Sequence, residues 1–326
     1  MFLFNFKPGK ERVLDNCSGK YPGIKKSCPY ASEFEWKISG PILKKFNIEV
    51  DKKNKNLIYN NKTLSYFNHF NIDSKYTQYS RNKNLSNIIY DKYNIPYPKY
   101  SLLSKLDINN NYLNYPLIIK PINGTRGKDM IEDIKSNKEL IYQMNKLDLS
   151  NYIIQEQKKG ITYRILVLNN KIICIKESLP PFIIGNGNDD VETLIKKLNK
   201  SLKKNDKISY VKRVSYNYIK SQGFNKSSIV PSGKKVYITN VINRGNGAQE
   251  SRFIPLTKLH PVNIELCLKV CESFKLNFCG IDYITKDLSQ PYYLSDGNIL
   301  EVNTKPAFSQ ILLKYPKQFF NALFNN

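Results

Sequence analysis

Late in the chain two short stretches, Cys279-Gly280-Ile281-Asp282-Tyr283-Ile284 and Ile299-Leu300-Glu301-Val302-Asn303, set single polar residues among apolar ones. The pattern predicts two buried strands joined by a polar loop from Lys286 to Asn298. Side chains alternate along a strand, so Glu301 and Asn303 share a face. If the strands are neighbours, Asp282, Glu301 and Asn303 become one cluster of hard oxygen ligands without His or Cys. Such a set suits Mg²⁺ or Mn²⁺ holding a substrate phosphate.

The same patterning predicts further elements. Leu85, Ile88 and Ile89, after Ser80-Arg81-Asn82-Lys83 and before Ile95-Pro96, read as a capped helix with Lys83 in its first turn. Tyr115 to Pro121 reads as a short buried strand carrying Lys120, followed by a glycine loop with Gly124, Arg126 and Gly127 that could close around a phosphate. The order of a Walker loop is absent. Tyr152 to Glu156 reads as an apolar strand with a polar end. Tyr163 to Leu168 and Lys171 to Ile175 read as a hairpin across Asn169-Asn170, and Leu57 to Tyr59 with Thr63 to Phe67 as another. Val191 to Asn199 and Asn263 to about Lys275 are helical in period. Between these helices lies a glycine-rich loop, 242–248, carrying Arg244.

Composition narrows the function classes. A chain of 326 residues with 41% hydrophobic content can bury a large core. No apolar run approaches the roughly 20 residues of a membrane span, and the first residues lack the layout of a signal peptide, so a cytoplasmic protein is expected. The net charge of +24 invites a nucleic-acid partner, but only seven of the 51 basic residues are Arg. Lysine excess without arginine fits a solvated surface better than one that reads phosphates and bases. Six scattered cysteines and two histidines argue against structural zinc and His-based triads, and Cys267, Cys271 and Cys279 are expected as reduced core thiols.

Taken in order, Ile118-Ile119-Lys120-Pro121 with Gly124 and Gly127, Ile183-Ile184-Gly185-Asn186-Gly187 with Glu192, Leu194 and Ile195, then Gly280-Ile281-Asp282 and Glu301-Val302-Asn303 with Pro306, resemble the ATP-grasp enzymes over residues 80–315. The similarity is greatest to the ATP-grasp module of cyanophycin synthetase and of the fused glutathione-synthesising enzyme. The resemblance implies an α+β fold with two lobes enclosing ATP in residues 80–326, beside a small N-terminal lobe in residues 1–79. It implies Lys83 and Lys120 on phosphates with Gly124, Arg126 and Gly127 in the loop, Gln155 and Glu156 at an adenine hinge, and Asp282, Glu301 and Asn303 on Mg²⁺. It also implies a ligase in which ATP activates a small-molecule or peptide carboxylate as an acylphosphate and an amine captures it. Arg164 and Arg244 are the candidates for gripping the carboxylate or acylphosphate. One departure stands out, since related enzymes place an acid where this chain has Thr162. The resemblance does not reach the Mur-ligase-like half of cyanophycin synthetase, so donor and acceptor are not carried over. A non-catalytic nucleotide-binding module and a basic nucleic-acid-binding protein are the competing readings, and oligomeric state stays open.

Overall fold

The computed structural model describes residues 43–51, 53, 54, 56–65, 74–124, 129–205, 211, 214–239, 251–304, 306 and 314–324. Its strands in the first half are β1 (Glu49–Asp51), β2 (Asn56–Tyr59), β3 (Lys62–Ser65), β4 (Tyr100–Leu102), β5 (Leu117–Pro121), β6 (Ile131–Ile134), β7 (Tyr152–Glu156) and β8 (Ile161–Leu168). They are followed by β9 (Lys171–Ser178), β10 (Phe182–Ile184), β11 (Lys235–Tyr237), β12 (Ser251–Ile254), β13 (Phe278–Thr285) and β14 (Asn298–Asn303). The helices are α1 (Ser74–Arg81), α2 (Lys83–Lys92), α3 (Asn137–Met144), α4 (Val191–Asn205), α5 (Tyr216–Lys220), α6 (Pro261–Ser273) and α7 (Pro316–Phe324). Contacts divide the chain into two compact units, one holding Ile42–Glu177 with Phe253–Asn326 and the other holding Ser178–Arg252.

In the larger unit a five-stranded sheet runs β12-β9-β8-β13-β14 and a four-stranded sheet runs β4-β7-β5-β6. The chain passes from one to the other through residues 157–160, and only glycine fits at position 160, where a Cβ would sit 2.6 Å from the Thr285 carbonyl oxygen. One face of the five-stranded sheet is apolar. Ile165, Val167, Ile281, Tyr283, Ile299 and Val302 pack there with Leu266, Cys267, Val270 and Cys271 of α6 and with Ile89 and Tyr90 of α2. Each such side chain contributes about 1.5–3 kcal/mol on burial. His260 caps α6 by accepting from the Val262 N–H, with Pro261 opening the helix. Asn82 caps α2 by accepting from the Leu85 N–H at 3.0 Å.

The opposite face is divided. At its far end Phe278 meets Phe319 of α7, and Asn169 Nδ2 donates to the Ala322 carbonyl. A three-stranded sheet, β1-β2-β3, backs the same helix through Phe46 against Phe320, Tyr59 against Phe324 and Lys62 Nζ on the Phe324 carbonyl. Elsewhere this face carries Arg164, Lys176, Asp282 and Glu301. The four-stranded sheet is likewise two-sided, with Leu117, Ile119 and Ile154 buried against Leu140 of α3, which leaves Ile118, Lys120, Ile153 and Gln155 on its other side.

The smaller unit pairs β10 antiparallel to β11 and packs Ile183, Val191, Leu194, Ile195, Val230 and Val236 into a core of its own. At Gly185 a Cβ would run into the Pro231 and Val230 carbonyl oxygens, which accounts for the glycine in this turn.

One expectation fails. Cys271 and Cys279 form a disulfide between the last turn of α6 and β13, because the helix doubles back onto the strand that follows it. Cys174 and Cys267 are free and buried, and burial pushes both thiols up to about 12. Among the described residues no helix is long and apolar enough to cross a membrane.

Candidate active site

β13 pairs antiparallel with β14 so that Asp282 faces Glu301 directly and Gly280 faces Asn303. Cross-strand partners share a face, so the two carboxylates and the amide stand together on the polar side of the sheet. Asn303 Nδ2 lies 3.4 Å from Asp282 Oδ2 and 3.4 Å from the Gly280 carbonyl oxygen. On the other flank β13 pairs with β8 and sets Arg164 opposite Asp282. Arg164 forks onto that carboxylate, with Nε 2.6 Å from Oδ1 and Nη2 donating to Oδ2 at 3.1 Å. Gly280 makes room for the guanidinium, since a Cβ there would lie 2.9 Å from Arg164 Nη1 and 2.9 Å from Pro306 Cβ.

Glu301 is the strained member of the row. Burial raises its carboxyl pKa above the usual range, the neighbouring Asp282 raises it further, and Lys83, Arg164 and Lys120 oppose the shift. Two apposed carboxylates and an amide are hard oxygen donors that suit a divalent cation, which would relieve the repulsion between the acids. Among the described residues no three of His, Cys, Asp and Glu come together in a group that could hold a metal ion.

The cations come from the other sheet and from α2. Lys120 Nζ donates to Gln155 Oε1 at 2.7 Å, and Lys83 Nζ donates to the Gly124 carbonyl at 2.9 Å. The Lys83 N–H donates to the Ile122 carbonyl, which ties the start of α2 to the loop after β5. Burial lowers the Lys83 pKa, and Glu301 opposes that shift. The Lys120 ammonium is pushed down to about 8, first by burial and then by Lys83, against the pull of Glu301, Glu132 and Asp282. Lys83, Lys120, Glu301 and Asp282 thus lie within one electrostatic neighbourhood.

The two hinge candidates diverge. Gln155 is buried, faces Lys120 and donates its amide to the Pro98 carbonyl. Glu156 turns away, accepts from the Asn114 backbone and side-chain N–H groups, and donates its own N–H to the Lys99 carbonyl. Arg126, Gly127 and Arg244 lie outside the described residues. Two features escaped the sequence reading. Lys158 joins the connection between the sheets to the β13–β14 loop by pairing with Asp296 at 3.2 Å and with Glu156 at 3.6 Å. Lys176 of β9 is the cross-strand partner of Arg164 and continues its row. Neither stood out, because single lysines carry no signal in so lysine-rich a chain.

No protein-family model matches the chain. Over 226 residues it is 28% identical to cyanophycin synthetase of Trichormus variabilis, a match covering 66% of this chain and 25% of that protein. It is 28% identical over 165 residues to the glutathione biosynthesis bifunctional protein of Clostridium perfringens, covering 48% of this chain and 21% of the relative. The chain therefore spans about a quarter of the length of the curated relatives it matches. Among solved structures, a bifunctional glutathione synthetase from Pasteurella multocida superposes on 90% of this chain and 43% of its own, with a TM-score of 0.56 at 16% identity. The chain is thus similar in sequence to cyanophycin synthetase and in fold to the glutathione synthetase, which supports the expected resemblance to the ATP-grasp enzymes and an α+β fold.

Proposed function

We propose that the chain is a cytosolic ATP-dependent carboxylate–amine ligase acting on an amino acid or peptide, its chemistry lying within residues 80–326. The observation that carries this reading is the Arg164–Asp282–Glu301 row, set within the electrostatic reach of Lys83 and Lys120. In that reading Lys83, Lys120 and the Gly124 loop hold the phosphates of ATP, with Arg126 and Gly127 part of the loop and Gln155 and Glu156 beside the base. Asp282, Glu301 and Asn303 would hold Mg²⁺ or Mn²⁺, whose charge neutralises the crowded phosphate oxygens.

The reaction then balances as two transfers. A carboxylate oxygen attacks the γ-phosphorus, an O–P bond forms, the bridging P–O bond to the β-phosphate breaks, and ADP leaves. An amine attacks the acyl carbon, a C–N bond forms, inorganic phosphate departs, and the amine gives up its proton. Arg164 and Arg244 are assigned to the developing oxyanions, where fixed guanidinium donors stabilise transferred charge. The test is a screen of amino acids and dipeptides for ATP-dependent mass gain, with ADP release measured in parallel. Amide formation that needs both Mg²⁺ and an added substrate supports the ligase. ATP binding without turnover across the panel would leave a non-catalytic nucleotide-binding module.

A further inference from the structure

The strand pairing that brings Gln155 to Lys120 has another member. Tyr100 of β4 is the partner of Gln155 across the β4–β7 pair, so its side chain leaves the same face of the four-stranded sheet as Gln155 and Lys120. Gln155 Oε1 accepts from the Lys120 ammonium at 2.7 Å. Tyr100 reaches the other way, its hydroxyl donating to Asn84 Oδ1 at 3.0 Å. Asn84 follows Lys83 in the first turn of α2. Two neighbouring side chains of the sheet thus meet the two lysines in different ways, Gln155 directly at Lys120 and Tyr100 through the helix turn that carries Lys83.

That turn needs an anchor. An ammonium in the first turn stands at the positive end of the helix dipole, and burial further disfavours the charge of Lys83. Asn82 caps the helix, and the Lys83 N–H and Nζ reach the Ile122 and Gly124 carbonyls in the loop after β5. Tyr100 adds a tie from β4. Its own place is fixed, because its carbonyl accepts from the Tyr112 hydroxyl at 2.6 Å and its ring centroid lies 5.9 Å from that of Tyr97. The buried Asn87 side chain, three residues along the helix, lies beside the same Tyr100 hydroxyl. Burial, followed by Asp91 and Tyr112, raises the Tyr100 pKa, so the hydroxyl stays protonated and donates. Resting on the ligase reading, we infer that Tyr100 is a positioning residue for the nucleotide, which acts through Asn84 to fix the first turn of α2 and thereby holds Lys83 at the spacing from Lys120 that a polyphosphate bridges. A lysine held in place before the ligand arrives spares the complex the ordering of one long side chain.

The test is calorimetric titration of MgADP into the full chain. Tyr100→Phe keeps the ring and removes the hydroxyl, and Asn84→Ala removes the acceptor at a helix position where alanine is favoured. Each is expected to weaken MgADP binding about two- to tenfold, the range of one hydrogen bond, and the two together no more than either alone. In a Lys83→Met background neither should weaken binding further, a pattern that a general loss of stability would not reproduce. Wild-type affinity in Tyr100→Phe would overturn the inference, as would losses from Tyr100→Phe and Lys83→Met that multiply in the double variant. Wild-type affinity in Lys83→Met would also overturn it, by detaching that lysine from the phosphates. A wild type that binds no MgADP would instead bring down the ligase reading, and this inference with it.

Discussion

The two sheets of the larger unit solve opposite electrostatic problems. In the five-stranded sheet the arginine already has an anionic partner, because Arg164 forks onto Asp282 at 2.6 and 3.1 Å. The four-stranded sheet and α2 give their lysines neutral acceptors, the Gln155 side-chain oxygen and the Gly124 carbonyl. An anion can therefore join Lys83 and Lys120 without breaking an ion pair, whereas one that recruits Arg164 must share it with Asp282. Under the proposed ligase reading the two sides would have different tasks, with phosphate affinity on the lysine side and metal and substrate alignment on the carboxylate side.

Loss of the carboxylate side should separate turnover from affinity most strongly. Glu301→Ala is expected to leave a folded protein and to cut ADP release about a thousandfold, because metal and transferred phosphoryl lose a shared ligand. Comparable ADP release in the variant would reassign Glu301 to an ordinary strand position. Loss on the lysine side should act on binding instead. For Lys120→Met a fall of about ten- to a hundredfold in nucleotide affinity is expected, corresponding to one charge-assisted hydrogen bond.

The lysine side should also carry a pH signature. Burial, with Lys83, pushes the Lys120 ammonium down to about 8, and it is charged below that value. A bound triphosphate favours the charged form, so nucleotide affinity should hold up to pH 8 and then fall by at most about tenfold per unit as binding has to recover the proton. Titrations at pH 7 and pH 9 would measure this, and the difference should shrink in Lys120→Met. A flat profile would detach Lys120 from the phosphates.

The smallest effect is expected at Gly280, where an alanine Cβ would lie 2.9 Å from Arg164 Nη1. Displacing the guanidinium should cost about 1–3 kcal/mol, read as a lowered thermal midpoint, with turnover falling more than nucleotide affinity. A fully stable and active Gly280→Ala would show that the arginine is free to move.

How much of this was legible in the sequence depended on contrast. β13, β14, β7 and the β8–β9 hairpin alternate apolar with polar residues or form apolar runs ended by Asn or Gly, and α2 and α6 have caps beside prolines. β4 and β6 are three and four residues long, too short for a period, and α1 carries its sequence SKYTQYSR without an aliphatic stripe. The site followed the same logic. Asp282 and Glu301 stood out as lone acids inside apolar strands, and Arg164 as one of seven arginines. Lys176 and Lys158 were hidden among lysines, and only the strand register and the folded loop set them beside Arg164 and Asp296. The Cys271–Cys279 link was likewise invisible, since it depends on α6 folding back against β13.

The central claim is that Asp282 and Glu301 hold a divalent ion beneath a nucleotide. Electron paramagnetic resonance titration of Mn²⁺ into the wild type and Glu301→Ala, each with and without ADP, tests it without requiring a known substrate. The account predicts that ADP tightens Mn²⁺ binding in the wild type and that this gain disappears in Glu301→Ala. Mn²⁺ binding that is the same in both proteins would contradict it.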